Sequence, residues 1–255
     1  MKTALLLCAA AALCAAQDPY TQSRADGPSA LLIAYRCNPD QRTALRVRME
    51  VGGVARFEGW KKRGVLKDYH ILFNSYLDSE TYDMVTLLTF EKYADVARWR
   101  EIEKESPGGL SRDTLELITS AVTSPLDLAR TGASKTPATR GKSVWFLIPY
   151  DYVVSTDDYV KYLDTYVIPQ TDGWIGEDVL ASYSMYISRY STGRPWSSLF
   201  VLEYRDAAAF GRREATVAKV RAKLKSNPNW LAASDNKQKV RIEKQTIIAE
   251  ELLPR

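Results

Sequence analysis

A faint internal repeat constrains this chain more than any other feature. Displaced by 114 positions, Gly59-Trp60 falls on Gly173-Trp174, Val65-Leu66 on Val179-Leu180, Tyr69 on Tyr183 and Tyr76 on Tyr190, with no gap. Those six identities lie within the 18 positions from 59 to 76, where chance supplies roughly one. The same displacement sets Leu31-Leu32-Ile33 on Trp145-Phe146-Leu147, and Leu87-Leu88-Thr89-Phe90 on Val201-Leu202-Glu203-Tyr204. Such a repeat implies two copies of one small unit, able to cover each other's apolar faces.

Within each copy the hydrophobic pattern reads strand, helix, strand, strand, helix, strand. In the first, residues 30–37 form an apolar run suited to a buried strand. Asn38-Pro39-Asp40-Gln41 is a helix start, with Asn38 as cap, Pro39 in the first helical position and Gln41 reaching back. Residues 69–76 and 84–90 are strands joined by a polar turn. Residues 91–105 are helical, and a short helix (112–118) and a last strand (125–129) complete the unit. The second copy follows suit: a strand over 144–150, a helix capped at Ser155, strands over 181–190 and 198–204, a long helix over 207–224 and a closing strand over 244–250. Gly59 and Gly173 are expected to permit a tight turn before the second strand, with Trp60 and Trp174 plugging the end of each core.

The chain begins with one lysine, then an apolar run to Ala16 and a small-residue exit at Cys14-Ala15-Ala16. That is the composition of a secretory signal peptide over residues 1–16, which places the protein in a bacterial periplasm or outside the cell. Polar, turn-rich residues 17–29 read as a flexible leader, and residues 131–142 as a linker between repeat 1 (30–130) and repeat 2 (143–255). After cleavage Cys37 is the one cysteine left, so no intramolecular disulfide can form and packing must hold the fold together. No later segment is long and apolar enough to span a membrane. The net charge of +4 comes from 35 basic residues scattered among 31 acidic ones, without the basic stripe that nucleic acid requires.

A tandem βαββαβ unit with this strand–turn–strand spacing, carried by the paired Gly-Trp segments and by Leu88-Thr89-Phe90 and Leu202-Glu203-Tyr204, resembles the dimeric α+β barrel superfamily. The resemblance covers both repeats and implies an α+β fold: two ferredoxin-like units packed sheet to sheet as an intramolecular pseudo-dimer barrel. The molecule would then be a monomer or a homodimer of pseudo-dimers. The superfamily includes cofactor-free oxygenases, lactone isomerases, haem enzymes and proteins without assigned activity, so fold alone decides little about function.

Period-two reading of the second strands separates two faces. Tyr69, Ile71 and Phe73, with Tyr183, Met185 and Ile187, suit burial beneath helices. His70, Leu72, Asn74 and Tyr76, with Ser184, Tyr186, Ser188 and Tyr190, would then face the space between the sheets. Arg36, Tyr150 and Glu203 could join them. The candidate ligand-binding residues are therefore His70, Asn74, Tyr76, Tyr186, Ser188, Tyr190, Glu203 and Arg36, pointing into one shared pocket. His70, the sole histidine, reads either as a general base or axial metal ligand, or as a half-buried strand residue with a satisfied hydrogen bond. Glu203 reads either as an acid or ligand anchor, or as part of a salt bridge with Arg36 or Arg205. One histidine and one mature cysteine argue against a metal cage, and haem through His70 is the one cofactor alternative. Cys37 lacks a neighbouring base in sequence, and no Gly-x-Ser-x-Gly, Walker or dinucleotide pattern occurs. The functional expectation is an exported protein that binds a small apolar or aromatic molecule between its sheets. The alternatives are a cofactor-free oxygenase- or isomerase-like enzyme on an aromatic substrate, with His70 or Glu203 moving a proton, and a structural protein with a filled pocket.

Overall fold

A computed structural model describes residues 18–255; the expected signal peptide lies outside them. Repeat 1 contains α1 (Pro19–Arg24), β1 (Ser29–Cys37), α2 (Arg42–Arg48), α3 (Val54–Lys62), β2 (Asp68–Asn74), β3 (Met84–Phe90), α4 (Val96–Glu105), α5 (Arg112–Leu115) and β4 (Ile118–Ala133). Repeat 2 contains β5 (Val144–Tyr152), α6 (Thr156–Tyr162), α7 (Ile168–Gly176), β6 (Leu180–Ser188), β7 (Ser198–Tyr204), α8 (Ala207–Gly211), α9 (Arg213–Leu224), α10 (Pro228–Asp235), β8 (Arg241–Glu243) and β9 (Ile247–Glu251). Eight strands run in the order β7-β6-β4-β1-β3-β2-β9-β5, and β5 pairs back onto β7, closing an antiparallel barrel. Each repeat alone has the ferredoxin-like strand order, and each donates its last long strand to the other. Thus β4 pairs with both β1 and β6, while β9 pairs with both β5 and β2. Closure removes the open sheet edges that two separate units would expose.

The 114-residue spacing is structural. It carries α2 onto α6, α3 onto α7 and β3 onto β7 end for end, together with a π-helical segment at Met49–Gly53 and Leu163–Val167. In the first strand, however, the spacing is 115. Leu31 pairs with Leu88 as Phe146 pairs with Leu202, so Leu31 corresponds to Phe146 rather than to Trp145. The gapless reading is off by one there, and such a slip exchanges the two faces of a strand. The extra position is absorbed between strand and helix, where repeat 2 is one residue shorter.

Several expectations need correction. Gly59 and Gly173 lie inside α3 and α7, not in a turn. A Cβ on Gly173 would sit 2.5 Å from Val220 Cγ1, so this glycine lets α9 approach α7. Asn38 makes no capping hydrogen bond, whereas Ser155 accepts from the Asp158 amide and Asp206 from the Ala209 amide. The presumed leader is structured: Asp18 caps α1, Tyr20 is buried, and Ser23 donates to Asp127 on β4 at 3.1 Å. The first three linker residues belong to β4, whose 16 residues are needed to bridge both sheets. The long helix over 207–224 breaks at Arg212.

Candidate functional site

Three apolar layers result. Tyr69, Ile71 and Phe73 pack under the helices of repeat 1, and Tyr183, Met185 and Ile187 under those of repeat 2. Between the sheets lie Leu32, Leu72, Leu87, Leu147, Tyr186 and Val201, among others. The eight candidate residues do not share one space. His70 and Tyr186 line a cavity of about 410 Å³ at one mouth of the barrel. Arg36 lines another of about 640 Å³ whose walls include Leu32, Val85, Leu147 and Ile247. Ser188 and Tyr190 border an outer cleft with Tyr20 and Asp127. Asn74 is buried and braces the β2–β3 turn, donating to Thr81 and to the Tyr82 carbonyl. Tyr76 and Tyr190 fall past the ends of their strands and are exposed, so their recurrence marks a hairpin position rather than a pocket wall. Glu203 accepts from Ser143 at 2.9 Å and Ser182 at 2.7 Å, in place of either expected arginine. Arg205 pairs instead with Asp178.

At the His70 mouth, Nδ1 lies 2.9 Å from Glu251 Oε1, and the Trp145 ring centre is 4.6 Å from the imidazole. Burial pushes the Tyr186 phenol up to about 12, which keeps it neutral. The Arg36 cavity is larger, but three of its charged side chains are engaged. Arg36 donates to the carbonyls of Ser79 and Glu80, Lys244 pairs with Asp151, and Glu243 accepts from Tyr150. Size alone does not make it the better site, because among the described residues no buried side-chain polar atom on its wall lacks a partner. Among the described residues no group of three or more His, Cys, Asp or Glu could hold a metal. None of the described helices is long and apolar enough to cross a membrane.

Sequence reasoning missed a third cavity. Beneath the helices of repeat 2, a space of about 410 Å³ is bounded by β5, β7, α7, α9 and the approach to β8. Its lining carries Arg213, Arg221, Lys237 and Arg241 against a single carboxylate, Glu243. It offers no His, Cys or Met. Three lining side chains end in buried donors without a partner: Trp174 Nε1, Arg213 Nε and Arg241 Nη1. Arg241 has no ion pair among the described residues. Its guanidinium lies 3.8 Å from the Tyr150 ring centre and 4.8 Å from that of Phe200. Arg213 stacks over Phe146 at 4.9 Å and pairs with exposed Glu214; Arg221 Nε donates to Gln170 at 2.8 Å. Cation–π contact offsets part of the desolvation of such a guanidinium, but an enclosed positive charge facing unpartnered donors is costly without an anion.

The repeat explains why the space exists. In repeat 1, Phe57 and Trp99 are fully buried and stack with ring centres 6.0 Å apart, and Trp60 meets both edge-on. At the 114-residue spacing their counterparts are Thr171 and Arg213, both on the cavity wall, while Trp60 becomes Trp174. Where repeat 1 carries two aromatic plugs, repeat 2 carries a hydroxyl and a guanidinium. That signal was present in the sequence and is seen only when the repeats are compared for their differences.

No protein-family model and no curated protein matches the chain by sequence. Solved structures match in fold. A candidate monooxygenase from Fusobacterium nucleatum subsp. nucleatum superposes with a TM-score of 0.54 at 10% identity, covering 89% of this chain and 93% of that one. A candidate monooxygenase from Lactobacillus acidophilus NCFM gives 0.53 at 9% identity, with coverages of 89% and 93%. An anthrone oxidase-like protein gives 0.53 at 10%, with 90% and 92%. The fold is that of the dimeric α+β barrel proteins, and at these identities the likeness concerns the fold alone.

Proposed function

We propose that this protein binds a small organic anion, a carboxylate or phosphate ester on a compact aromatic body, in the cavity beneath the helices of repeat 2. The observation that carries this reading is the replacement of the Phe57–Trp99 plug by Thr171 and Arg213, which leaves unpartnered Trp174, Arg213 and Arg241 donors around an aromatic-walled space. The anion would accept charge-assisted hydrogen bonds from the guanidiniums. Tyr150, Tyr166, Trp174 and Phe200 would receive the ring. Glu243, engaged by the Tyr150 hydroxyl, sets the orientation by repelling the charged end.

Calorimetric titration with phenyl phosphate, benzoate and phenol tests the proposal. The two anions should bind saturably, phenol far more weakly, and added salt should weaken the anions alone. Arg241→Gln should cost about tenfold or more in affinity for the anions, as expected for a lost hydrogen bond to a charged group. Equal binding of phenol and phenyl phosphate, or salt-independent affinity, would count against it.

A secretory role accompanies this reading. Residues 1–16 have the composition of a signal peptide, which supports release into the periplasm or medium. A chain lacking residues 1–16 should fold unchanged and stay in the cytoplasm of a bacterial host; equal export of both forms would remove this part of the proposal.

A further inference from the structure

We infer that the His70 mouth of the barrel is a second small-molecule site, which takes a compact hydroxyaromatic with His70 Nε2 accepting the hydroxyl hydrogen. This site lies outside the repeat 2 cavity and does not depend on it.

The chemistry follows from one contact. Glu251 presents a carboxylate to Nδ1 at 2.9 Å. An ionised carboxylate only accepts, so Nδ1 carries a hydrogen, and whenever the ring is neutral Nε2 is its acceptor. Nε2 has no protein partner among the described residues, and the side chain is 29% exposed toward the cavity it lines. Around it Ala30, Leu87, Leu128, Trp145 and Val201 form an apolar wall, and the hydroxyls of Thr89, Ser182 and Ser184 beside them are already hydrogen-bonded. The charged residues at the rim are already paired, Lys67 with Glu91 and Asp68 with Lys61. An anion therefore finds no free cation here, whereas an apolar ring with a single donor finds one open acceptor. The volume of about 410 Å³ suits a one- or two-ring molecule.

The site exists only in the closed barrel. His70 comes from repeat 1, while Trp145, Tyr186 and Glu251 come from repeat 2. The β2–β9 pairing, which sets Leu72 opposite Glu251, brings the carboxylate to the imidazole. Neither unit alone would hold the imidazole in this tautomer.

Because the chain has a single histidine, ¹⁵N-histidine labelling reports on this ring alone. Titration of the labelled protein with 2-naphthol should move the Nε2 resonance saturably and more than the Nδ1 resonance. The donor-free control, 2-methoxynaphthalene, should leave Nε2 nearly unmoved. His70→Phe, which keeps a ring but removes the acceptor, should weaken 2-naphthol binding by about tenfold, followed by tryptophan fluorescence. The wild-type titration decides the matter even if that variant folds poorly. No saturable change with 2-naphthol, or an equal change with the methyl ether, would overturn the assignment. Phenyl phosphate binding elsewhere would be unaffected by either result.

Discussion

Arg241 shows how one side chain can reveal a site. A guanidinium enclosed by Tyr150, Phe200 and Tyr162, with a buried unpartnered Nη1, is held in place by ring faces rather than by a carboxylate. That arrangement leaves one edge of its hydrogen-bond fork, at Nη1, available. The tyrosines and the cysteine make a different statement about pH. Burial pushes the phenols of Tyr69, Tyr186 and Tyr204, and the Cys37 thiol, up to about 12. A group whose folded pKa is raised contributes stability that is complete below its unfolded value and is lost as pH climbs toward the folded value. Stability should therefore hold to about pH 9 and fall steeply between about 10 and 12, by this linkage. Phenolate absorbance and circular dichroism recorded together should change in concert. Complete ionisation of the tyrosines near pH 10 with the dichroism intact would refute this.

At the scale of elements, the sharpest consequence concerns Gly173 in α7. Alanine favours helices intrinsically over glycine, yet here its methyl would press on Val220 of α9 at 2.5 Å. Gly173→Ala should destabilise the protein by about 1–3 kcal/mol through overpacking, measured by urea denaturation, whereas Gly176→Ala, with open space around it, should not. Most of the strand and helix order was legible in the sequence because its periods are strong: the apolar run of β1, the alternation of β2 and β6, the capped start of α6. The π-helical segments were not, since a single inserted residue leaves the apolar stripe nearly unchanged. Nor was α1, whose docking depends on Ser23 finding Asp127 more than a hundred positions away. Glycine misled because close helix packing and a tight turn select the same residue. The one-residue slip in the first strand was hidden by a chain apolar on both faces.

For the whole molecule, exchange of β4 and β9 makes two similar units into one barrel, and divergence between them then gives each a separate part. Repeat 1 is plugged by Phe57 and Trp99; repeat 2 is opened by Thr171 and Arg213. The sequence pointed to the alternating faces and to His70 and Tyr186 at a common mouth. It gathered the other candidates into that same space because a shared face was read as a shared cavity: the two inner mouths are walled by different residues, and Tyr76 and Tyr190 lie past the strands altogether. The central claim is that the absence of those aromatic plugs from repeat 2 leaves a binding site. The measurement that tests it most directly is the dissociation constant of phenyl phosphate for the wild-type protein and for Thr171→Phe/Arg213→Trp, which rebuilds the repeat 1 plug in repeat 2. The account predicts saturable binding by the wild type and its loss, by about a hundredfold or more, in a variant that is folded and at least as stable. Undiminished binding by the folded, plugged variant would contradict it.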